Sequence, residues 1–199
     1  MGSMFSWLSD TDYPHGDIRK VNTTGASDET ARADGKSSRG VRASHEMAAD
    51  DLPYIKKYKN KIIKAADKYD VQPSVVAGII SRETRGGRGA GLDDGWGNNG
   101  NAFGLMQIDK NWHKPEGEWD SQKHINQGTK SLVDLYSDDI EKKFPRWDKN
   151  QKLKGALAAY NMGTEEMASS YSKVDDHTTG GDYSNDVTAR AQYYEDHLF

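Results

Sequence analysis

Between Gly86 and Ala102 the chain carries seven glycines, three asparagines and two aspartates. Residues of these types favour turns and positive φ, so no regular helix or long strand crosses the stretch. Regular structure must stop near Gly86 and resume near Ala102, with room for at most a small hairpin between. Since the whole chain has 199 residues, 34% of them apolar and spread along most of its length, it suits one compact domain with a substantial core.

On both sides of the glycine-rich stretch the apolar pattern is helical. Ser44 is placed to cap a helix running to Tyr69, with Met47, Leu52, Ile55, Tyr58, Ile62 and Ile63 at helical spacing and Pro53 disturbing its first turns. A second helix is expected from Pro73 to Gly86-Gly87. Beyond a Trp-rich connection, a third runs from Ser121 to Phe144, stopped by Pro145, with Ile125, Leu132, Leu135, Tyr136 and Ile140 as its buried stripe. Two more are expected, at Gln151 to Asn161 and at Tyr183 to His197, the latter with Val187, Ala191 and Tyr194 on one face. From Asp10 to Arg42 the chain is polar and aperiodic, which reads as an extended or partly ordered arm. The expected organisation is a cloning remnant at residues 1–3, a polar arm at 4–42 packing on the domain, and a single catalytic domain at 43–199. The fold class is mainly α, an α+β helical bundle whose small irregular or β hairpin insertion forms one wall of a cleft.

Several chemistries are disfavoured at once. Cysteine is absent, so disulfides, Cys-ligated metals and thiol catalysis are excluded. The six histidines show no zinc spacing, and no serine-nucleophile elbow or Walker loop occurs. Gly95-Trp-Gly97-Asn-Asn-Gly100 matches a dinucleotide fingerprint in letters only, because a loop precedes it and no helix opens after it. Aligned as an EF-hand, the same loop puts glycines on ligand positions and Met106 where the bidentate Glu belongs. No metal and no cofactor are therefore expected. A net charge of -4 argues against nucleic-acid binding. It also argues against global steering onto an anionic surface, so attraction must come from a local cluster such as Arg82, Arg85 and Arg88, which could equally be a solvated loop. No apolar run is long enough to span a bilayer, and the opening Met4-Phe-Ser-Trp-Leu is too short for a signal-peptide core, so no membrane association is expected.

On the helix from Pro73, Glu83 follows Val76, Ile79 and Ile80 at helical spacings and so projects from the apolar face. A carboxylic acid held against apolar side chains resists ionisation, and the negative end of the helix dipole pushes its pKa the same way. Such a group is a general acid, or else a structural one that pairs with a buried Arg or caps a backbone group. Asp109 closes the segment Phe103-Gly-Leu-Met-Gln-Ile-Asp109, with the glycine-rich loop between it and Glu83. A protonated acid facing an ionised carboxylate is the pair that glycoside hydrolysis requires. Trp96, Trp112, Trp119, Tyr160, Asn161 and Tyr183 suit the stacking and hydrogen bonding of sugars, and Gln107 and His113 are further candidates beside Asp109.

Gly78-Ile-Ile-Ser-Arg-Glu83, Gly95-Trp-Gly97, Phe103-Gly-Leu-Met-Gln-Ile-Asp109 and Ala159-Tyr-Asn161 together resemble goose-type lysozyme. Thr23-Thr-Gly-Ala-Ser27, Asp182-Tyr-Ser-Asn-Asp-Val187 and Ala189-Arg-Ala-Gln-Tyr-Tyr194 extend the likeness over nearly the whole chain after residue 20. The resemblance implies a lysozyme-like fold and hydrolysis of the β-1,4 bond between N-acetylmuramic acid and N-acetylglucosamine in peptidoglycan, in antibacterial defence. It implies Glu83 as general acid, Asp109 as the group that holds and activates water, and an inverting single displacement. Where the family commonly has a second aspartate, this chain has Asn98, which orients a water but accepts no proton. The cysteines of the bird proteins are missing, so the N-terminal arm lacks their staples.

The resemblance further implies an extracellular or lysosomal site of action, with cytoplasmic storage or unconventional export compatible with this N-terminus. It also implies a monomer acting on glycan strands and open to a bacterial proteinaceous lysozyme inhibitor. Two other readings compete. A lytic transglycosylase shares a similar Glu, Gly-Leu-Met-Gln and Ala-Tyr-Asn pattern but needs no water-activating aspartate, so Asp109 favours hydrolysis; a non-catalytic wall-binding protein would have no need of both Glu83 and Asp109.

Overall fold

The computed structural model describes residues 13–89 and 91–199; the expectations for residues 1–3 and for the start of the arm lie outside the described residues. Eight α-helices and a small sheet follow one another among the described residues. The segment expected to be an arm holds more regular structure than its composition indicates. A 3-10 turn at Ile18–Lys20 buries Ile18, and α1 (Asp28–Ala33) is capped by the Ser27 side chain, which accepts from the N–H of Thr30. Short caps and tertiary burial, rather than apolar periodicity, hold these pieces.

Helix α2 (Gly40–Ile55) starts ahead of the expected Ser44 cap. Ser44 is fully buried, and its hydroxyl donates to Asp186 at 2.7 Å. The helix passes through Pro53, and the break falls afterwards, in a 3-10 turn at Lys56–Tyr58 that leads into α3 (Lys59–Tyr69). The single helix expected over 44–69 is therefore two.

Helix α4 (Pro73–Thr84) begins with proline in its first turn and ends at Arg85, whose φ of +52° turns the chain into Gly86 and Gly87. It is apolar nearly all round, with Val76, Ile79 and Ile80 at 0% exposure, which marks it as the central helix of the core. Each such side chain contributes about 1.5–3 kcal/mol by burial. Helix α8 (Tyr183–His197) crosses it closely enough that a Cβ on Gly78 would lie 2.9 Å from the Val187 carbonyl oxygen.

Strands β1 (Trp96–Gly97), β2 (Ala102–Phe103) and β3 (Ile108–Asp109) form an antiparallel sheet in the order β1-β2-β3. Trp96 pairs Phe103, which pairs Ile108; Gly97 pairs Ala102, which pairs Asp109. The expected hairpin thus gains a third strand. Leu105 and Met106, in the turn between β2 and β3, are wholly buried and tie the sheet to the helical core. Helix α5 (Gln122–Asp134) is capped by Ser121 and runs on through a π-helical stretch at Leu135–Ile140 into α6 (Glu141–Lys143), stopping before Pro145. Helix α7 (Lys149–Met162) opens on a capping box between Asp148 and Gln151. No helix among the described residues is long and apolar enough to cross a membrane.

Candidate active site

Glu83 sits in the last turn of α4, half-buried, where the helix leaves the core. Tyr183, the first residue of α8 and 1% exposed, donates its hydroxyl to Oε1 of Glu83. Burial pushes the Glu83 carboxyl up to about 7, against the opposing pull of the Tyr183 bond and of the Arg82 charge. Tyr160 of α7 lies close enough to feel the Glu83 charge, and burial raises its phenol well above the ordinary range. The Tyr160 hydroxyl donates to the Met106 carbonyl at 2.8 Å. Helices α4, α7 and α8 and the β2–β3 turn therefore converge on one carboxyl group. The arrangement raises the acid into the neutral range, where it can give up a proton, and fixes its orientation through the Tyr183 bond.

Asp109 is half-buried on β3, and its Oδ1 accepts from the N–H of Asn111 at 2.8 Å. Oδ2 makes no hydrogen bond among the described residues. Asn98 is exposed in a 3-10 turn after β1, with φ at +48°. It lies at the same end of the sheet as Asp109 but two strands away, about 10 Å between backbones. Gln107 donates to the Gly104 carbonyl at 2.9 Å, and its side chain comes so near β1 that a Cβ on Gly97 would stand 2.3 Å from its Oε1.

The aromatic candidates divide. Trp96 is half-buried on β1, with its ring 4.8 Å from Phe103. Trp119 packs against the core and against Gly95, where an added Cβ would clash with its side chain, so it helps anchor the sheet. Trp112 is 81% exposed and His113 is exposed beside it. Asn161 uses its side-chain oxygen on the N–H of Thr179 at 2.8 Å, which ties the end of α7 to the loop before α8.

Two supporting groups carried no sequence signal of their own. His124, 0% exposed, is pushed down to about 4 by burial, so it is neutral, and its Nε2 accepts the N–H of Met106 at 3.0 Å. It holds the N–H of the residue whose carbonyl receives Tyr160. The second group is a buried ionic network behind α4. Arg82 donates to Asp186 at 2.6 Å and to Asp182 at 3.0 Å, and its guanidinium lies over the Tyr183 ring. Arg190 bonds Asp186 at 2.9 Å and approaches Asp51 at 3.3 Å, while Arg88 reaches Asp51 at 2.8 Å and Arg85 pairs with Asp34. The arginine cluster at 82, 85 and 88 is therefore neither a free attracting patch nor a solvated loop, because each guanidinium is committed to an aspartate. Arg82, the nearest arginine in sequence to Glu83, turns to α8, which leaves the carboxyl of Glu83 to Tyr183.

The family model Lysozyme g matches residues 15–197. The chain is 48% identical over 183 residues to Lysozyme g of Casuarius casuarius, covering 92% of this chain and 97% of that protein. It is 49% identical over 191 residues to Lysozyme g of Takifugu rubripes, covering 93% and 98% respectively. Lysozyme g-like protein 2 of Homo sapiens is 40% identical over 185 residues, covering 93% and 82%.

Proposed function

The chain belongs to the lysozyme g family, and from that premise we propose that Glu83 and Asp109 divide the work of hydrolysis between them. The protein is a lysozyme, a glycoside hydrolase acting on bacterial peptidoglycan. Glu83, protonated below about pH 7, gives its proton to the glycosidic oxygen as the bond breaks. Asp109, held through Oδ1, receives a hydrogen bond from the attacking water at Oδ2 and takes up its proton. Asn98 adds a hydrogen bond to that water, and an amide accepts no proton, so the base role falls to Asp109. The bond cut is the β-1,4 link between N-acetylmuramic acid and N-acetylglucosamine, by a single inverting displacement. Trp96, Gln107, His113, Tyr160, Asn161 and Tyr183 line the approach of the glycan, and the site of action is extracellular.

The observation that carries this reading is the Glu83 carboxyl, raised by burial and held by Tyr183. It is tested by mass analysis of the sugars released from purified peptidoglycan by wild type and by Glu83→Gln. Products bearing one added water, absent in the variant, are expected. Products lighter by one water, the anhydro form, would overturn hydrolysis in favour of transglycosylation.

A further inference from the structure

Tyr54 to Tyr69 carries six lysines and one aspartate, within a chain whose net charge is -4. Lys57, Lys61, Lys64 and Lys68 follow at spacings of four, three and four, so they form one row along the outer side of the 3-10 turn and α3. The inner side, with Ile62, Ala65 and Ala66 buried, belongs to the core. Lys57, Lys64 and Lys68 are exposed and make no ion pair among the described residues. Lys57 and Lys68 lean over the rings of Tyr54 and Tyr69, and Lys61 bonds the Asp120 carbonyl at 2.8 Å and lies over Tyr58.

Several other basic residues are tied to partners. Arg82, Arg85 and Arg88 are bound to aspartates; Lys142 and Lys152 pair with Asp138 and Glu141; Lys154 is buried against Asn22 and Asn185. The α3 row is thus a strip of lysines that make no ion pair among the described residues, about 16 Å long with a lysine about every 5–6 Å. It begins beside the turn that leaves Glu83, since Gly86 packs against Tyr54 and Ile55.

We propose that this row docks the enzyme on a linear phosphodiester polymer carried by the bacterial wall, a proposal that rests on peptidoglycan being the substrate. A narrow line of evenly spaced ammonium groups complements a single chain with one negative charge per repeat. Anionic lipid is a poorer fit, because Ile62, Ala65 and Ala66 of α3 are buried in the core and no fully exposed apolar side chain stands on the row. A nucleic-acid duplex, broader than the row, would bring its phosphates against the bordering acids Asp67, Asp70 and Asp120.

The test measures binding of Glu83→Gln, which leaves its target undigested, to walls retaining the polymer and to walls stripped of it by hydrofluoric acid. Adding Lys57→Gln, Lys64→Gln and Lys68→Gln should weaken binding to intact walls about tenfold or more at low salt. It should also make the slope of log affinity against log salt shallower by about two, as expected for three lost phosphate contacts. Binding to stripped walls should be equal with and without the three substitutions, and vesicles of anionic phospholipid should not retain either protein. Equal binding to intact walls, equal losses on both walls, or lysine-dependent capture by the vesicles would each overturn the proposal. Cleavage of stripped walls by the protein with Glu83 intact reads the active site alone: its absence would overturn the hydrolytic mechanism while the binding comparison still decides the lysine row.

Discussion

Tyr183 at the start of α8 donates its phenolic proton to Oε1 of Glu83 at the end of α4, joining residues 100 positions apart. The bond favours the ionised carboxylate, yet burial outweighs it and leaves the group at about 7. Tyr183 is itself held by the Arg82 guanidinium over its ring and by the pairing of Arg82 with Asp182 and Asp186. The acid is tuned by its neighbours on one side and supported by a salt-bridged scaffold on the other.

Hydrolysis should fall as pH rises through about 7, when Glu83 loses its proton. Glu83→Gln should lower the rate by at least about a hundredfold and lose that limb of the profile. The stability effect has a definite sign. The folded pKa is raised above the unfolded value, so the folded state gives up stability as pH rises through about 7. Denaturant unfolding should therefore find Glu83→Gln close to wild type at pH 4 and more stable at pH 8, by at most about 3 kcal/mol.

Tyr183→Phe removes the donor to Glu83 and so raises its pKa further. A hydrogen bond to a charged group contributes about 1.5 kcal/mol, which corresponds to about one pH unit. The alkaline limb of the rate profile should move up by that amount. An unmoved limb would mean that the phenol does not bond the carboxylate in solution.

Asp109→Asn should give a clear loss of rate, smaller than that of Glu83→Gln, while Asn98→Asp should leave the rate unchanged or raise it. Initial rates on purified peptidoglycan decide both. A rate indifferent to Asp109 would place the water on other groups.

His124 is held neutral, its pKa pushed down to about 4 by burial. Its contribution to stability is present above about pH 6.5 and is lost as pH falls through about 4, because the unfolded chain takes up the proton first. Urea midpoints for wild type should drop over that window, and His124→Gln should be less stable at pH 7 with a flatter pH dependence.

Arg190 bonds Asp186 and Asp51, both almost fully buried. Burial raises the Asp51 carboxyl even with Arg190 and Arg88 beside it. Arg190→Met takes one of two cations from each carboxylate, leaving Asp186 to Arg82 and Asp51 to Arg88, and should cost about 3 kcal/mol in denaturant unfolding.

Apolar periodicity and turn chemistry were enough to identify α4, α5, α7 and α8, because each has either a 3.6-residue apolar pattern or a Gly or Pro boundary that acts locally. The same reasoning placed Glu83 on a buried face and Asp109 after the glycine-rich loop. It missed α1, whose six residues lack an apolar stripe, and it set the start of α2 at Ser44, a residue that instead reaches Asp186 142 positions away. It gave no sign of the Tyr183–Glu83 bond, of His124 or of the Asp51–Arg190 pairing. The chain alone determined which segments coil and which side chains are acidic, since those depend on neighbours within a few residues. Only the tertiary structure decided that the Glu83 carboxyl is raised to about 7 and that the arginines beside it are spent on aspartates, because pKa and ion pairing depend on desolvation and on partners brought together from distant parts of the chain.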